Sequence, residues 1–214
     1  MAHIISIVGQ KGGIGKTTIA WNLFIALKND GLQVKLIDCD DNQFSSFEIA
    51  KIRQIVKNDD YIKDVINTPA SNAIKFINDA EKNNHDVIIL ECGGRIDKEL
   101  KMAISYANQV IMPLKPSLLE IKTIDNVEKV IDKIPNFDAD CRILANMTPT
   151  HHFNNDVEQM KKCTTKYFKF MNAEIKNRAM YANSINNGLS IFETSTIDKK
   201  ATKEFTKFIK ELQE

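Results

Sequence analysis

The chain has 214 residues, 43% of them apolar and 27% charged, with a formal net charge of +1. That length is enough to bury a full core, and the balanced charge excludes a protein that holds nucleic acid or membrane through its overall field, so any such affinity must come from a local patch. Four scattered cysteines, Cys39, Cys92, Cys141 and Cys163, form no C-x-x-C pair and no zinc spacing, and no apolar run reaches the ~20 residues that cross a bilayer.

In chain order, Ile4-Ile5-Ser6-Ile7-Val8 reads as a buried strand ending at Gly9. Its start by His3 leaves no room for a leader peptide, and a cytoplasmic location is expected. A glycine-rich loop follows, then a helix over 17–29 with Ile19, Leu23, Ala26 and Leu27 on one face and Gly31 as its stop. A second strand spans 33–40 and ends in acids. A helix is expected over 69–84, with Thr68 as N-cap ahead of Pro69. The strand 86–94 runs into Gly93-Gly94. Then come helix 97–106, strand 109–112, helix 118–133, strand 141–146, helix 155–168, a helical segment 178–188 closed by Gly188, and a last helix 196–213 with Ser195-x-x-Asp198 as a capping box.

Strands that are apolar throughout and alternate with helices imply an α/β fold, a single domain over 1–214 with a mostly parallel twisted sheet between two helical layers. Ligands of such sheets bind at the carboxyl ends of the strands. Here those ends carry the glycine loop, Asp38 and Asp40, Glu91 to Gly94, and Asn146.

The loop reads "VGQKGGIGKTT". It ends like a phosphate-binding loop, yet the pattern G-x-x-x-x-G-K-[ST] needs glycine where Gln10 stands, and a second lysine, Lys11, precedes Lys16 by five positions. Gly12, Gly13 and Gly15 let the backbone approach phosphates around Ile14, and the helix opening at Lys16 adds its positive end. Lys16 suits the β/γ-phosphates of a nucleotide and the Thr17 hydroxyl suits Mg²⁺, with Thr18 beside it. Two acids ending a strand beside phosphates would repel them without a metal, so Mg²⁺ is implied.

"KGGIGKTT" resembles the deviant Walker A motif of the ParA/MinD family of dimeric P-loop ATPases. "LIDCDDNQFSS" resembles its switch I, "DVIILECGGRIDKEL" its Walker B strand and switch II, and "QVIMPLKPSLLEIKTI", "RAMYANSINNGLSIFE" and "KKATKEFTKFIKEL" the later parts of small ParA proteins. The resemblance implies an ATPase whose catalytic residues are Lys11, Lys16 and Asp40. Lys11 would reach the phosphates of a partner's ATP across a homodimer, and Asp40 would position the attacking water. It implies Mg²⁺ near Thr17, Asp38 and Glu91, and adenine near Asn146. Two departures stand out: Asp41-Asn42-Gln43 replaces the family's Pro-Gln, and Glu91 replaces its Walker B aspartate, so slow hydrolysis is expected. Arg95 suits an interface or phosphate contact, or the plain surface.

Cys39 and Cys92 flank the acids but do not match the cysteine placement of an iron–sulfur relative, and His151-His152 lacks a third metal ligand. The window 161–178 sets Lys161, Lys162, Lys166, Lys169, Lys176 and Arg178 against one acid, Glu174, with Tyr167, Phe168 and Phe170 between them. It is either a solvated helix face or, as the resemblance implies, a surface for nonspecific DNA. The final helix carries an apolar stripe at Ile197, Ala201, Phe205, Phe208, Ile209 and Leu212, expected to pack on the body rather than on a membrane. The expected activity is DNA partition or cargo positioning with a ParB-like or other stimulating partner. A membrane-cycling MinD-like ATPase and a metabolic ATP-dependent enzyme are the alternatives.

Overall fold

The computed structural model describes residues 1–39, 45–93, 98–150 and 156–214. Within them the chain runs β1 (His3–Ile7), α1 (Lys16–Asn29), β2 (Val34–Asp38), α2 (Ser45–Lys57), a 3-10 turn (Tyr61–Asp64), β3 (Val65–Asn67), α3 (Ala70–Lys82), β4 (Val87–Glu91), α4 (Lys98–Ser105), β5 (Gln109–Leu114), α5 (Leu118–Ile131), β6 (Asp140–Thr148), α6 (Asp156–Lys161), β7 (Phe168–Lys176), α7 (Ala179–Asn186) and α8 (Lys199–Leu212). The strands form one sheet in the order β3-β2-β4-β1-β5-β6-β7, and each pairing is parallel. The expected α/β class with helices on both faces is what the structure shows.

Alternation along the strands divides the apolar residues between the two faces. Ile5 and Ile7 of β1, Leu36 of β2, Ile89 of β4 and Leu144 of β6 join the side chains of α1, α7 and α8. Val110, Met112 and Ile143 pack on the other face with Leu100, Ile124 and Met160 from α4, α5 and α6. Ile4, Ile37, Ile88 and Leu90 meet the small residues Ala70, Ala73 and Ala80 of α3. The reversal of strand order between β4 and β5 puts β1 at the centre, so the loop leaving β1 opens at the crevice where ligands of such sheets bind.

Helix α1 is buried on every side rather than along one stripe. Trp21 and Asn22 are fully enclosed. The Trp21 indole donates to the Leu189 carbonyl at 3.2 Å, and Asn22 Oδ1 accepts from the Ile191 N–H at 2.9 Å. The segment after α7 therefore covers the face of α1 that the sheet leaves open. Gly188 makes that cover possible. It sits at φ +67, and a Cβ there would come 2.4 Å from the Arg53 backbone nitrogen of α2. Its N–H reaches Ile185 and that of Leu189 reaches Ser184, which closes α7 in a Schellman turn.

Three boundaries differ from expectation. The helix expected over 155–168 stops at Lys161, and 168–176 is the outer strand β7, whose bulged pairing with β6 hides its alternation. Thr68 is not the cap of α3: Pro69 holds the N-cap position, and no side-chain bond caps that helix. The last helix begins at Lys199 rather than 196, with Asp198 accepting from the N–H groups of Lys200 and Ala201, which leaves Ile197 exposed outside the stripe. Helix α2, the 3-10 turn and β3 were not foreseen.

Helix α8 seals β7. Glu211 accepts from the N–H groups of Asn172 and Ala173, both at 2.7 Å, and Glu204 accepts from that of Lys176 at 3.2 Å. Lys207 donates to the Asn172 carbonyl at 2.7 Å. The apolar face of α8, with Phe205 and Phe208 fully buried, lies in the core as expected.

Candidate nucleotide site

The loop between β1 and α1 reverses the chain over the carboxyl end of the central strand. Gly15 holds the N-cap position of α1 at φ +87 and makes no side-chain cap bond, so the first-turn N–H groups face the loop interior. A Cβ on Gly15 would lie 2.5 Å from Asn146 Nδ2. Asn146, 3% exposed at the end of β6, donates to the Ile14 carbonyl at 2.6 Å and so braces the loop from beneath. Lys16 is buried, and its ammonium donates to the Lys11 carbonyl at 3.3 Å across the loop.

Asp38 and Glu91 end neighbouring strands and are direct partners in the β2/β4 register. Both are buried, at 0% and 3% exposure. The Thr17 hydroxyl donates to one Glu91 oxygen, and the Ser46 hydroxyl donates to the other at 2.9 Å. The Ser46 N–H donates to Asp38 at 3.2 Å. Burial first, and the neighbouring Asp38 carboxylate second, push Glu91 up to about 7, against the two hydroxyl bonds and the charge of Lys16.

Two facing acids and a threonine hydroxyl suit Mg²⁺, which takes one or two carboxylates and completes its shell with water and phosphate oxygens. A divalent cation would relieve the repulsion that keeps Glu91 protonated near neutrality. Among the described residues, no group of three His, Cys, Asp or Glu gathers into an all-protein metal centre. Asp40, Asp41, Asn42, Gln43, Gly94, Arg95 and His151-His152 lie outside the described residues.

Lys11 points away from Lys16. Its ammonium lies 3.1 Å from Glu120 Oε1 and 3.3 Å from the Leu119 carbonyl. Two turns along α5, Asn126 donates to Gln10 Oε1 at 3.1 Å. The start of the loop is therefore held by α5, while its end is held by Asn146. Ser46 and Glu120 lie inside the stretches that resemble the family but were not singled out, and Asn126 lies outside them. Polar residues of this kind are common at helix starts and on helix faces, and no spacing ties them to the loop.

The basic window is more neutral than its composition. Lys161 and Lys176 share Glu174 at 3.5 and 3.0 Å, Lys166 pairs with Asp132 at 2.5 Å, and Arg178 pairs with Glu204 at 2.6 Å. Lys162 and Lys169 are exposed. Helix α8 adds Lys199, Lys200, Lys203, Lys207 and Lys210 on its solvent side. A groove of about 840 Å³ between β7 and α8 is lined by Lys176, Arg178, Lys200, Lys203, Lys207 and Lys210 together with Glu174 and Glu204.

The family model of the CobQ/CobB/MinD/ParA nucleotide binding domain matches residues 5–191. The ParA protein of Rhizobium radiobacter is 27% identical over 141 residues, covering 61% of this chain and 60% of its own length. The chain thus spans about three fifths of that relative, and a similar share of several MinD-type relatives. The maintenance of carboxysome distribution protein A of Halothiobacillus neapolitanus is 22% identical over 225 residues, covering 99% and 96%. In fold, the chain is similar to the septum site-determining protein MinD of Pyrococcus horikoshii OT3 complexed with Mg-ADP. The TM-score is 0.73 at 17% identity, with 100% and 98% of the two chains covered.

Proposed function

The chain belongs to the CobQ/CobB/MinD/ParA nucleotide-binding family, and from that premise we propose that it is a ParA-type positioning ATPase. It binds ATP with Mg²⁺, pairs with a second copy around two nucleotides, holds nonspecific DNA as a dimer, and leaves DNA when a partner protein stimulates hydrolysis. The cargo is a DNA locus or a protein assembly distributed over the nucleoid.

The observation that carries this reading is the division of labour between two lysines of one loop. Lys16 is buried and turned inward, while the Lys11 side chain is 41% exposed and turned outward. An inward lysine serves the nucleotide of its own subunit. An outward one suits phosphates presented by a second subunit, whose negative charge needs a cation delivered in trans. The glycine loop and the start of α1 would cradle the phosphates, and Asn146, which braces the loop through the Ile14 carbonyl, is the residue assigned to adenine. Thr17, Asp38 and Glu91 would hold Mg²⁺, which would supply neutralisation of phosphate charge. In this reading Asp40 would orient the attacking water.

For DNA, Lys200, Lys203, Lys207 and Lys210 of α8 join Lys176 and Arg178 around the groove beside β7, with Lys162 and Lys169 exposed as further cations; cations suffice for phosphate contacts without base readout. The test is co-sedimentation with nonspecific duplex DNA in ATP and in ADP. Retention with ATP that is lost with ADP, and lost with Lys11→Ala in ATP, is the expected result. Equal retention in both nucleotides would overturn it. The membrane-cycling alternative has less support, because the apolar face of α8 is committed to the core. Among the described residues, no helix is long and apolar enough to cross a membrane.

A further inference from the structure

Ser46 is the second residue of α2 and is fully buried. It bonds both acids of the candidate metal site: its hydroxyl donates to Glu91 at 2.9 Å, and its N–H donates to Asp38 at 3.2 Å. A glutamate reaches one methylene further than an aspartate at the same strand end, and it brings an extra rotatable bond. Left to itself, that carboxylate could turn out of the plane in which Thr17 meets it. With Thr17 on one oxygen and Ser46 on the other, both ends of the Glu91 carboxylate are fixed. The same contact fastens the first turn of α2 to the ends of β2 and β4.

We infer that Ser46 is a positioning residue for the magnesium site, acting through Glu91: its hydroxyl sets the carboxylate plane, and its backbone couples the start of α2 to both acids. The inference rests on the ATP·Mg²⁺ reading above. A residue that orients a metal ligand by hydrogen bonding contributes about 10–100-fold to metal affinity when removed. A residue that merely starts a helix would affect folding without regard to the metal.

The experiment measures affinity for a fluorescent ATP analogue across a Mg²⁺ titration and in EDTA, in wild type, Ser46→Ala, Glu91→Gln and the double variant. Ser46→Cys, which fills the same volume with a weak donor, guards against a packing defect, and thermal melts check folding. In EDTA, Ser46→Ala should bind nucleotide as wild type does. With Mg²⁺ it should need ~10–100-fold more metal to reach the same affinity. Ser46→Cys should shift in the same direction. In the Glu91→Gln background, adding Ser46→Ala should change little, because the effect passes through the carboxylate. The inference is overturned if Ser46→Ala titrates like wild type, loses equal affinity in EDTA, or adds its full effect to Glu91→Gln. If wild type itself binds nucleotide without regard to Mg²⁺, the ATP·Mg²⁺ reading falls and takes this inference with it; a wild-type-like Ser46→Ala removes the inference alone.

Discussion

The Lys11 ammonium lies 3.1 Å from the Glu120 carboxylate of its own chain and donates to the Leu119 carbonyl at 3.3 Å. Glu120 has only 10% of its side chain exposed. To reach across to a second subunit, Lys11 must leave this partner. A partly exposed pair of this kind is worth ~0.5–1 kcal/mol, and two such pairs break per dimer. Glu120→Gln should therefore tighten ATP-dependent dimerisation by about 5–30-fold. Lys11→Ala should abolish it. Light scattering during size exclusion, at several protein concentrations in ATP, distinguishes these outcomes.

Glu91 supplies a pH signature. Its proton is held in the folded apo protein up to about pH 7, against an ordinary value of 4.5. Below pH 4.5 it is protonated in both the folded and unfolded states, and its contribution is fully present. As pH rises from there toward 7, the unfolded chain releases this proton first and folding stability falls. The loss is on the order of 3 kcal/mol at most. Glu91→Gln should flatten this part of the profile, seen as a smaller gap between urea midpoints at pH 5 and pH 8. Mg²⁺ with nucleotide should restore stability at pH 8 in wild type and far less in the variant.

Arg53 joins three parts of the chain from the middle of α2. It is 3% exposed, bonds Glu193 at 2.8 and 2.9 Å, pairs with Asp59 at 2.8 Å and stacks over Tyr61 at 4.7 Å. Removing the cation leaves a half-buried glutamate without its partner, and breaking a buried pair costs ~3–5 kcal/mol. Arg53→Met should lower stability by about 3 kcal/mol in chemical denaturation, the low end because Asp59 keeps contact with water. Glu193→Gln should lower it less, since a neutral hydrogen-bond partner remains.

Two glycines at positive φ separate backbone strain from close contact. Gly31 has φ +87 with open space around its missing side chain, so Gly31→Ala should cost only the ~1–2 kcal/mol of a left-handed residue. Gly188 has φ +67 and the Arg53 backbone 2.4 Å from where a Cβ would stand. There α2 and the cover of α1 must part, and Gly188→Ala should lower the melting temperature by about 6–12 °C, two or more times the Gly31→Ala shift.

The nucleotide loop and its acids were legible because each follows an apolar strand, and a strand end in a parallel sheet has a known destination. Helix α2 was not, because its buried face is Ser46, Ile49, Ala50 and Arg53, while Ile52, Ile55 and Val56 lie exposed. Its apolar pattern therefore points the wrong way round. β7 was missed, with the helix expected over 155–168 reaching only its first residue, because its lysines and aromatics give no clean alternation ahead of the bulge. The charge of the same window was legible, but its ion-pair partners were not. Its lysines meet Glu174 and Asp132 and its Arg178 meets Glu204, and of these acids only Glu174 lies within the window. The Lys11–Glu120 pair spans more than a hundred residues, and nothing local announces it.

An outer strand is ordinarily the place where another chain can add itself to a sheet. In β7 the donors of Asn172, Ala173 and Lys176 are already taken by carboxylates of α8. This margin is closed to lateral growth into a continuous sheet, the route by which a crowded protein on a shared template would lock into an irreversible fibre. A second copy could add itself along β7 only by first displacing Glu204 and Glu211.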